Sequence, residues 1–215
     1  MLLLIDKPKG ITSHDVIDVV RRVTGERRVG HAGTLDPNAT GLLLVGVGRD
    51  ETKNLGSLTK DTKKTYEAEI YLGEERDTDD IEGKIIKSNN ITQPSLNSIK
   101  RVIKEFIGKQ VQIPPAYSAI KLGGRKAYEL ARRGNKVDLK AREVTVYSIK
   151  LVNYQYPILE ITCRVSSGTY IRSLARDIGR RLGTYGYLKN LRRTGIGKFS
   201  VEKALSLPQL QQMHS

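Results

Sequence analysis

The chain has 215 residues, enough for one large domain or two small ones with a sizeable buried core. Lys and Arg number 37 against 23 Asp and Glu, a formal net charge of +14, so the expected partner is a polyanion, nucleic acid before an anionic membrane surface. A single cysteine, Cys163, excludes an intramolecular disulfide and a thiolate zinc cluster. The histidines His14, His31 and His214 lack metal-ligand spacing, and the opening apolar run is too short for a signal peptide or a membrane span.

In chain order, residues 2–5 read as a short buried strand that stops at Asp6, Pro8 and Gly10. A helix follows over about 13–24: Thr12 and Asp15 fit a capping box, Val16, Val20 and Val23 share a face, and Gly25 can end it. Residues 26–40 carry Gly, Pro and Asn without apolar periodicity and read as one long loop, a class usually functional or disordered in compact domains. Leu42 to Val47 is a buried strand. Residues 65–72 alternate as a strand with Tyr66, Ala68, Ile70 and Leu72 on one face. An acidic stretch from Gly73 to Gly83 precedes an amphipathic helix over 95–106. Residues 126–133 form a short basic helix, and 142–153 with 158–166 pair as a hairpin through Tyr156-Pro157. A helix covers about 169–182, and the tail is a basic strand, a turn and a short helix. Interspersed helices and hairpin-like strand pairs predict an α+β fold rather than a doubly wound parallel sheet.

Several chemistries lack their signatures. The run from Asp77 to Gly83 fails as a calcium loop, because Ile81 and Glu82 stand where an oxygen ligand and a glycine are required. The stretch Gly195 to Ser200 lacks the spacing of a phosphate loop, and neither GxGxxG nor GxSxG occurs. The basic pairs Arg21-Arg22, Arg27-Arg28, Arg125-Lys126, Arg132-Arg133 and Arg192-Arg193 suit contacts to phosphates, which set register and make affinity fall with salt, although a solvated charged face explains any single pair equally well.

The most informative segment is Arg27 to Gly41, a Gly-rich loop with two flanking arginines, one histidine and one aspartate. By local chemistry Asp36-Pro37 is a turn opener, and a place on a long loop of a basic chain makes Asp36 a candidate reactive group as well. The run GHAGTLDPNATGLLLV resembles the catalytic loop of the TruB family, the tRNA pseudouridine-55 synthases of bacterial type. Further resemblances follow in the family's order: Asp6 to Gly10, Lys64-Thr65-Tyr66, Asp77 to Gly83, Pro114 to Lys121, Ser167 to Leu174, and Leu191-Arg192-Arg193.

The resemblance implies a pseudouridine synthase fold, a mixed and mostly antiparallel sheet flanked by helices and loops. It implies a catalytic domain over 1–205 and a short tail over 206–215, without the C-terminal RNA-binding (PUA) domain typical of bacterial relatives. The implied activity converts uridine 55 in the T loop of tRNA to pseudouridine. It implies Asp36 as the catalytic aspartate, adding to C6 of the uracil or acting at the sugar. Arg172 is the implied partner of that carboxylate, and Asp80 a second carboxylate positioning the arginine; a phosphate contact is the other reading of Arg172. Tyr66 is implied to stack on the target base and to serve catalytically in proton transfer from C5, although its strand position by itself better suits an ordinary core residue. His31 would fill the gap left by a flipped base, with Tyr170 and Leu191 as further pocket walls.

No cofactor and no metal are implied, because the isomerisation is internal to the substrate. The implied partner is tRNA through its T-arm stem-loop, with no membrane and no protein partner, in a cytoplasmic monomer. Two competing readings are a synthase of the same fold directed to another RNA, as in the guide-RNA-using dyskerin group, and an RNA-binding module without catalysis.

Overall fold

The computed structural model describes residues 1–89, 93–135 and 137–213; His214 and the last residue of the expected tail lie outside the described residues. The chain opens with β1 (Leu2–Lys7), α1 (Ser13–Thr24), β2 (Val29–Ala32), β3 (Thr40–Val47), α2 (Arg49–Thr59) and β4 (Lys64–Leu72). Next come β5 (Glu74–Arg76), β6 (Ile85–Ser88), α3 (Leu96–Glu105), β7 (Gly108–Gln112), β8 (Lys121–Leu122), β9 (Arg125–Lys126) and α4 (Ala127–Arg132). The remainder is β10 (Arg142–Gln155), β11 (Ile158–Val165), α5 (Ile171–Arg181), β12 (Gly186–Ile196), β13 (Phe199–Ser200), a 3-10 turn and α6 (Leu207–Gln212). The chain divides into two compact units, one of Met1–Glu67 with Leu191–Ser215 and the other of Ala68–Asn190. Among the described residues no helix is long and apolar enough to cross a membrane.

In the first unit β3 is the organising strand. Its apolar run leaves every residue from Gly41 to Val47 buried, and β1 pairs antiparallel along its length, from Leu2 opposite Gly46 to Lys7 opposite Gly41. The other edge is shared. Strand β2 runs antiparallel to one end, with His31 opposite Val45, and β12 runs parallel to the other, with Arg193 opposite Gly41. Gly41 has φ +101°, and a Cβ there would run into the Arg193 backbone, so only glycine permits this approach. Helix α1 starts as its sequence predicts: the Thr12 side chain accepts from the Asp15 N–H at 3.1 Å and the Asp15 carboxylate accepts from the Thr12 N–H at 2.7 Å. Gly25 ends it in the left-handed conformation. Val16, Ile17 and Val20 bury against Leu3, Ile5, Leu43 and Val45. Leu210 of α6 joins that core with no exposed surface, so the segment expected as a tail contributes to it through this residue.

In the second unit the strand order is β4, β11, β10, β7, with β10 and β11 forming the expected antiparallel hairpin. Helix α3 packs against β10 and α5, burying Ile99, Val102 and Ile103. Strand β4 alternates as read, with Tyr66, Ala68, Ile70 and Leu72 buried. The mixed, mostly antiparallel pairing bears out the α+β expectation.

One reading needs correction, and one element has no counterpart in the sequence reading. Residues 26–40 are not one loop: Val29–Ala32 is a strand, since β3 offers a free edge that overrides the glycine-rich local signal. Helix α2 went unread because it carries little apolar periodicity, with Leu55 its one buried residue and Gly48 capping without a side chain.

Candidate active site

The first unit carries Asp36, His31, Tyr66 and Leu191. After β2 the chain leaves the sheet at Gly33 and returns at Thr40. Asp36 to Ala39 close a turn through the Ala39 N–H to the Asp36 carbonyl at 3.0 Å, so Asp36-Pro37 does open a turn. The Asp36 side chain is half-buried at its start.

Three buried side chains hold this turn from different directions. Ser13, in the first turn of α1, accepts from the Leu35 N–H and donates to the Leu35 carbonyl, both at 3.0 Å. Lys7 has no exposed surface, and its Nζ donates to the carbonyls of Pro8 at 2.9 Å, Ile11 at 2.6 Å and Pro37 at 3.1 Å. The Pro37 carbonyl also accepts from the Gly10 N–H at 2.9 Å. The Asp6-to-Gly10 segment thus acts as a clasp on the Asp36 turn. Burial pushes the Lys7 ammonium down to about 8, opposed by the negative charges of Asp36 and Asp15.

The third clamp is Arg193. Only 1% exposed, it donates from Nε to the Leu42 carbonyl at 2.8 Å and from Nη2 to the Gly33 carbonyl at 2.6 Å. Of the two readings open for Arg192-Arg193, phosphate contact or solvated face, Arg193 fits neither. Arg193 spans the two ends of the loop, and Arg192 makes a two-pronged pair with the Asp6 carboxylate at 3.0 and 2.7 Å. The other basic pairs keep solvent-facing members: Arg22, Arg27, Arg28, Arg125, Lys126, Arg132 and Arg133 are exposed. Lys126 and Arg132 also lie over the Tyr128 ring.

His31 sits on β2, not in a loop. Burial lowers its imidazole pKa, with the positive charges of His14 and Arg193 adding to the effect, so it is neutral at neutral pH. Tyr66 is buried on β4, and Leu191 is half-buried with its carbonyl accepting from the Thr40 hydroxyl at 3.4 Å.

The second unit carries Arg172, Asp80 and Tyr170. Arg172, in the first turn of α5, donates from Nη1 to the Thr78 carbonyl at 3.2 Å and the Asp80 carboxylate at 3.3 Å, and from Nη2 to the Tyr117 carbonyl at 2.9 Å. Asp80 is fixed in turn by the Thr78 hydroxyl at 2.6 Å. Here the expected Arg172–Asp80 partnership is present, and the Pro114-to-Lys121 segment supplies one of the arginine's acceptors. Tyr170 is the N-cap residue of α5. The buried Gln112 side chain accepts from its N–H at 2.9 Å and donates to its carbonyl at 3.0 Å, a fixture with no sequence signal. Among the described residues no group of three or more His, Cys, Asp or Glu is placed to hold a metal ion.

Comparison with known proteins adds the family. Residues 21–171 match the TruB family pseudouridylate synthase (N terminal domain) model, and residues 172–215 match the tRNA pseudouridylate synthase B C-terminal domain model. The chain is 46% identical over 220 residues to the tRNA pseudouridine synthase B of Thermobifida fusca (strain YX), covering 97% of this chain and 73% of that protein. It is 42% identical to the corresponding protein of Alkaliphilus oremlandii (strain OhILAs), over 100% of this chain and 71% of that one. Among solved structures, a chain of a Cbf5-Nop10-Gar1 complex superposes with TM-score 0.77 at 28% identity, covering 98% of this chain and 53% of its own length. A chain of an H/ACA RNP bound to a substrate RNA containing 2'-deoxyuridine gives 0.74 at 26% identity, covering 98% and 52%. The chain therefore spans about half the length of those structural neighbours.

Proposed function

The chain belongs to the TruB family of pseudouridylate synthases, and from that premise we propose that it isomerises uridine 55 in the T loop of tRNA to pseudouridine, with Asp36 as the catalytic carboxylate. The reaction breaks the C1′–N1 bond, turns the base and forms C1′–C5, and C5 gives up its hydrogen without net redox change. Whether Asp36 adds to C6 or acts at the sugar, the step starts from an ionised, fixed carboxylate. The observation that carries the reading is the clasped turn. A half-exposed aspartate follows a backbone held by Lys7, Ser13 and Arg193, all nearly inaccessible to solvent. Such preorganisation is of little use to a turn that only reverses the chain, and it is what a reacting group needs.

Arg172, held by the Asp80 carboxylate, is the guanidinium that acts on the reaction. Tyr66 stacks on the uracil, and Leu191 and Tyr170 each serve as a further contact to the base. Neutral His31 fills the gap left by the flipped base, since an apolar-faced ring inserts into a base stack at lower desolvation cost than an imidazolium. The exposed basic pairs hold the phosphates of the T arm. The protein works on tRNA as a monomer, and an isolated T-arm stem-loop is a competent substrate.

The test is tritium release from a T-arm stem-loop carrying [5-³H]uridine, native chain against Asp36→Asn. Release by the native chain and none by the variant is expected. Equal release by both would show Asp36 to be misassigned, and binding without release by either would leave an RNA-binding protein or a synthase with another substrate.

A further inference from the structure

Helix α5 carries arginines at 172, 176 and 180, a spacing of four that puts all three on one face. Each takes a carboxylate from the same acidic hairpin. Arg172 pairs with Asp80 at 3.3 Å, Arg176 with Asp79 at 2.8 Å, and Arg180 with Glu75 through two contacts of 2.6 Å. The rungs are not equivalent. Arg180 is 47% exposed and meets β5, about two helical turns from Arg172. Arg176 and Asp79 are both under 10% exposed in their side chains, and Asp79 immediately precedes Asp80.

The middle rung controls the turn from which Arg172 is held. Two acceptors of the Arg172 guanidinium, the Thr78 carbonyl and the Asp80 carboxylate, flank Asp79. Asp79 adopts φ +62°, a left-handed conformation that a non-glycine residue keeps only when its surroundings enforce it. Its backbone is tied at both ends, its N–H to the Arg76 carbonyl at 3.0 Å and its carbonyl to the Leu188 N–H at 3.0 Å. Its side chain accepts a hydrogen bond from Arg176 Nη1 at 2.8 Å. Arg176 is itself fixed by the Asp177 carboxylate at 2.8 Å and by the Ile113 carbonyl at 3.1 Å, which also accepts from Ser173.

We propose that the buried Asp79–Arg176 pair is a positioning device for Arg172: it locks the 78–80 turn so that Thr78 and Asp80 present their oxygens to the Arg172 guanidinium in one orientation. The proposal rests on the reading of Arg172 as a group that acts on the reaction. A misplacement on the order of 1 Å at a reacting group costs up to about a hundredfold in rate, so loss of this lock is expected in turnover rather than in RNA affinity.

The experiment measures kcat and KM for tritium release from the labelled stem-loop, with thermal melting of the same full-length preparations. Four variants are compared: Asp79→Asn, Arg176→Lys, Arg180→Lys and Arg172→Lys. Asparagine tolerates the left-handed backbone, so Asp79→Asn removes the charge and keeps the turn accessible. Asp79→Asn and Arg176→Lys are expected to lower kcat about tenfold or more with KM within about twofold. Arg180→Lys is expected to lower the melting temperature and leave kcat unchanged. Native kcat in Asp79→Asn and Arg176→Lys, alongside a depressed kcat in Arg172→Lys, overturns the proposal while sparing the role of Arg172. A kcat loss in Arg180→Lys as large as in Asp79→Asn overturns it too, because the ladder would then be acting through stability. Native kcat in Arg172→Lys removes the catalytic reading of Arg172 and the proposal with it.

Discussion

Replacing Arg193 with methionine separates two opposite readings of one residue. As a phosphate contact, Arg193 would contribute to RNA affinity and almost nothing to stability. As a strut at 1% exposure, it satisfies the Leu42 and Gly33 carbonyls. Methionine keeps much of the volume and removes both hydrogen bonds, one of them to the half-buried Gly33. At about 1–3 kcal/mol for each unsatisfied buried group, discounted because removing the guanidinium also relieves its own desolvation, the net loss is about 2–4 kcal/mol. For a chain of this size that corresponds to a melting point lower by roughly 5–15 °C. The assay is urea denaturation, reading the midpoint at unchanged slope, together with RNA affinity at two salt concentrations and single-turnover release. Stability should fall by the stated amount and turnover should fall with it, since Gly33 anchors the loop that leads to Asp36. The salt dependence of binding should not change. Unaltered stability with weaker, less salt-sensitive binding would refute the strut and return Arg193 to the phosphates.

Two further outcomes follow from the same geometry. Leu210→Ala should cost about 2–5 kcal/mol in chemical denaturation, because the side chain is fully buried in the α1–β1 core; a loss under about 1 kcal/mol would mean that α6 is dispensable to it. His31 has a lowered folded-state pKa, so between that value and 6.5 the unfolded chain binds more protons, and stability falls as pH drops through 6.5. His31→Gln should flatten that decline when denaturation midpoints at pH 7.5 and 5.5 are compared; an equal decline in both proteins would show that His31 does not carry it.

The parts of the fold written in local sequence were legible. The Thr12–Asp15 box, the Gly25 stop, the alternation of Tyr66 to Leu72 and the 142–166 hairpin all depend on residues a few positions apart. Elements whose reason for existing lies elsewhere were not. Strand β2 exists because β3 has an edge to fill, and α2 lacks an apolar stripe to announce it. Asp36, His31, Tyr66, Arg172 and its partner Asp80 stood out through motif resemblance, whereas Ser13 and Gln112, which hold the backbone at Leu35 and Tyr170, carried no mark of that duty.

The sequence by itself determined the family, the basic surface and the residue types for the chemistry, because side-chain identity and short-range spacing are properties of the chain. Tertiary structure alone decided which charges face solvent and which are internal struts. Arg192 and Arg193 are adjacent and chemically alike, yet one pairs with Asp6 at the surface and the other bonds Gly33 and Leu42 in the interior. Asp79 and Asp80 divide in the same way between Arg176 and Arg172. An ionic side chain takes its role from the partners around it, and here those partners lie on segments remote in sequence.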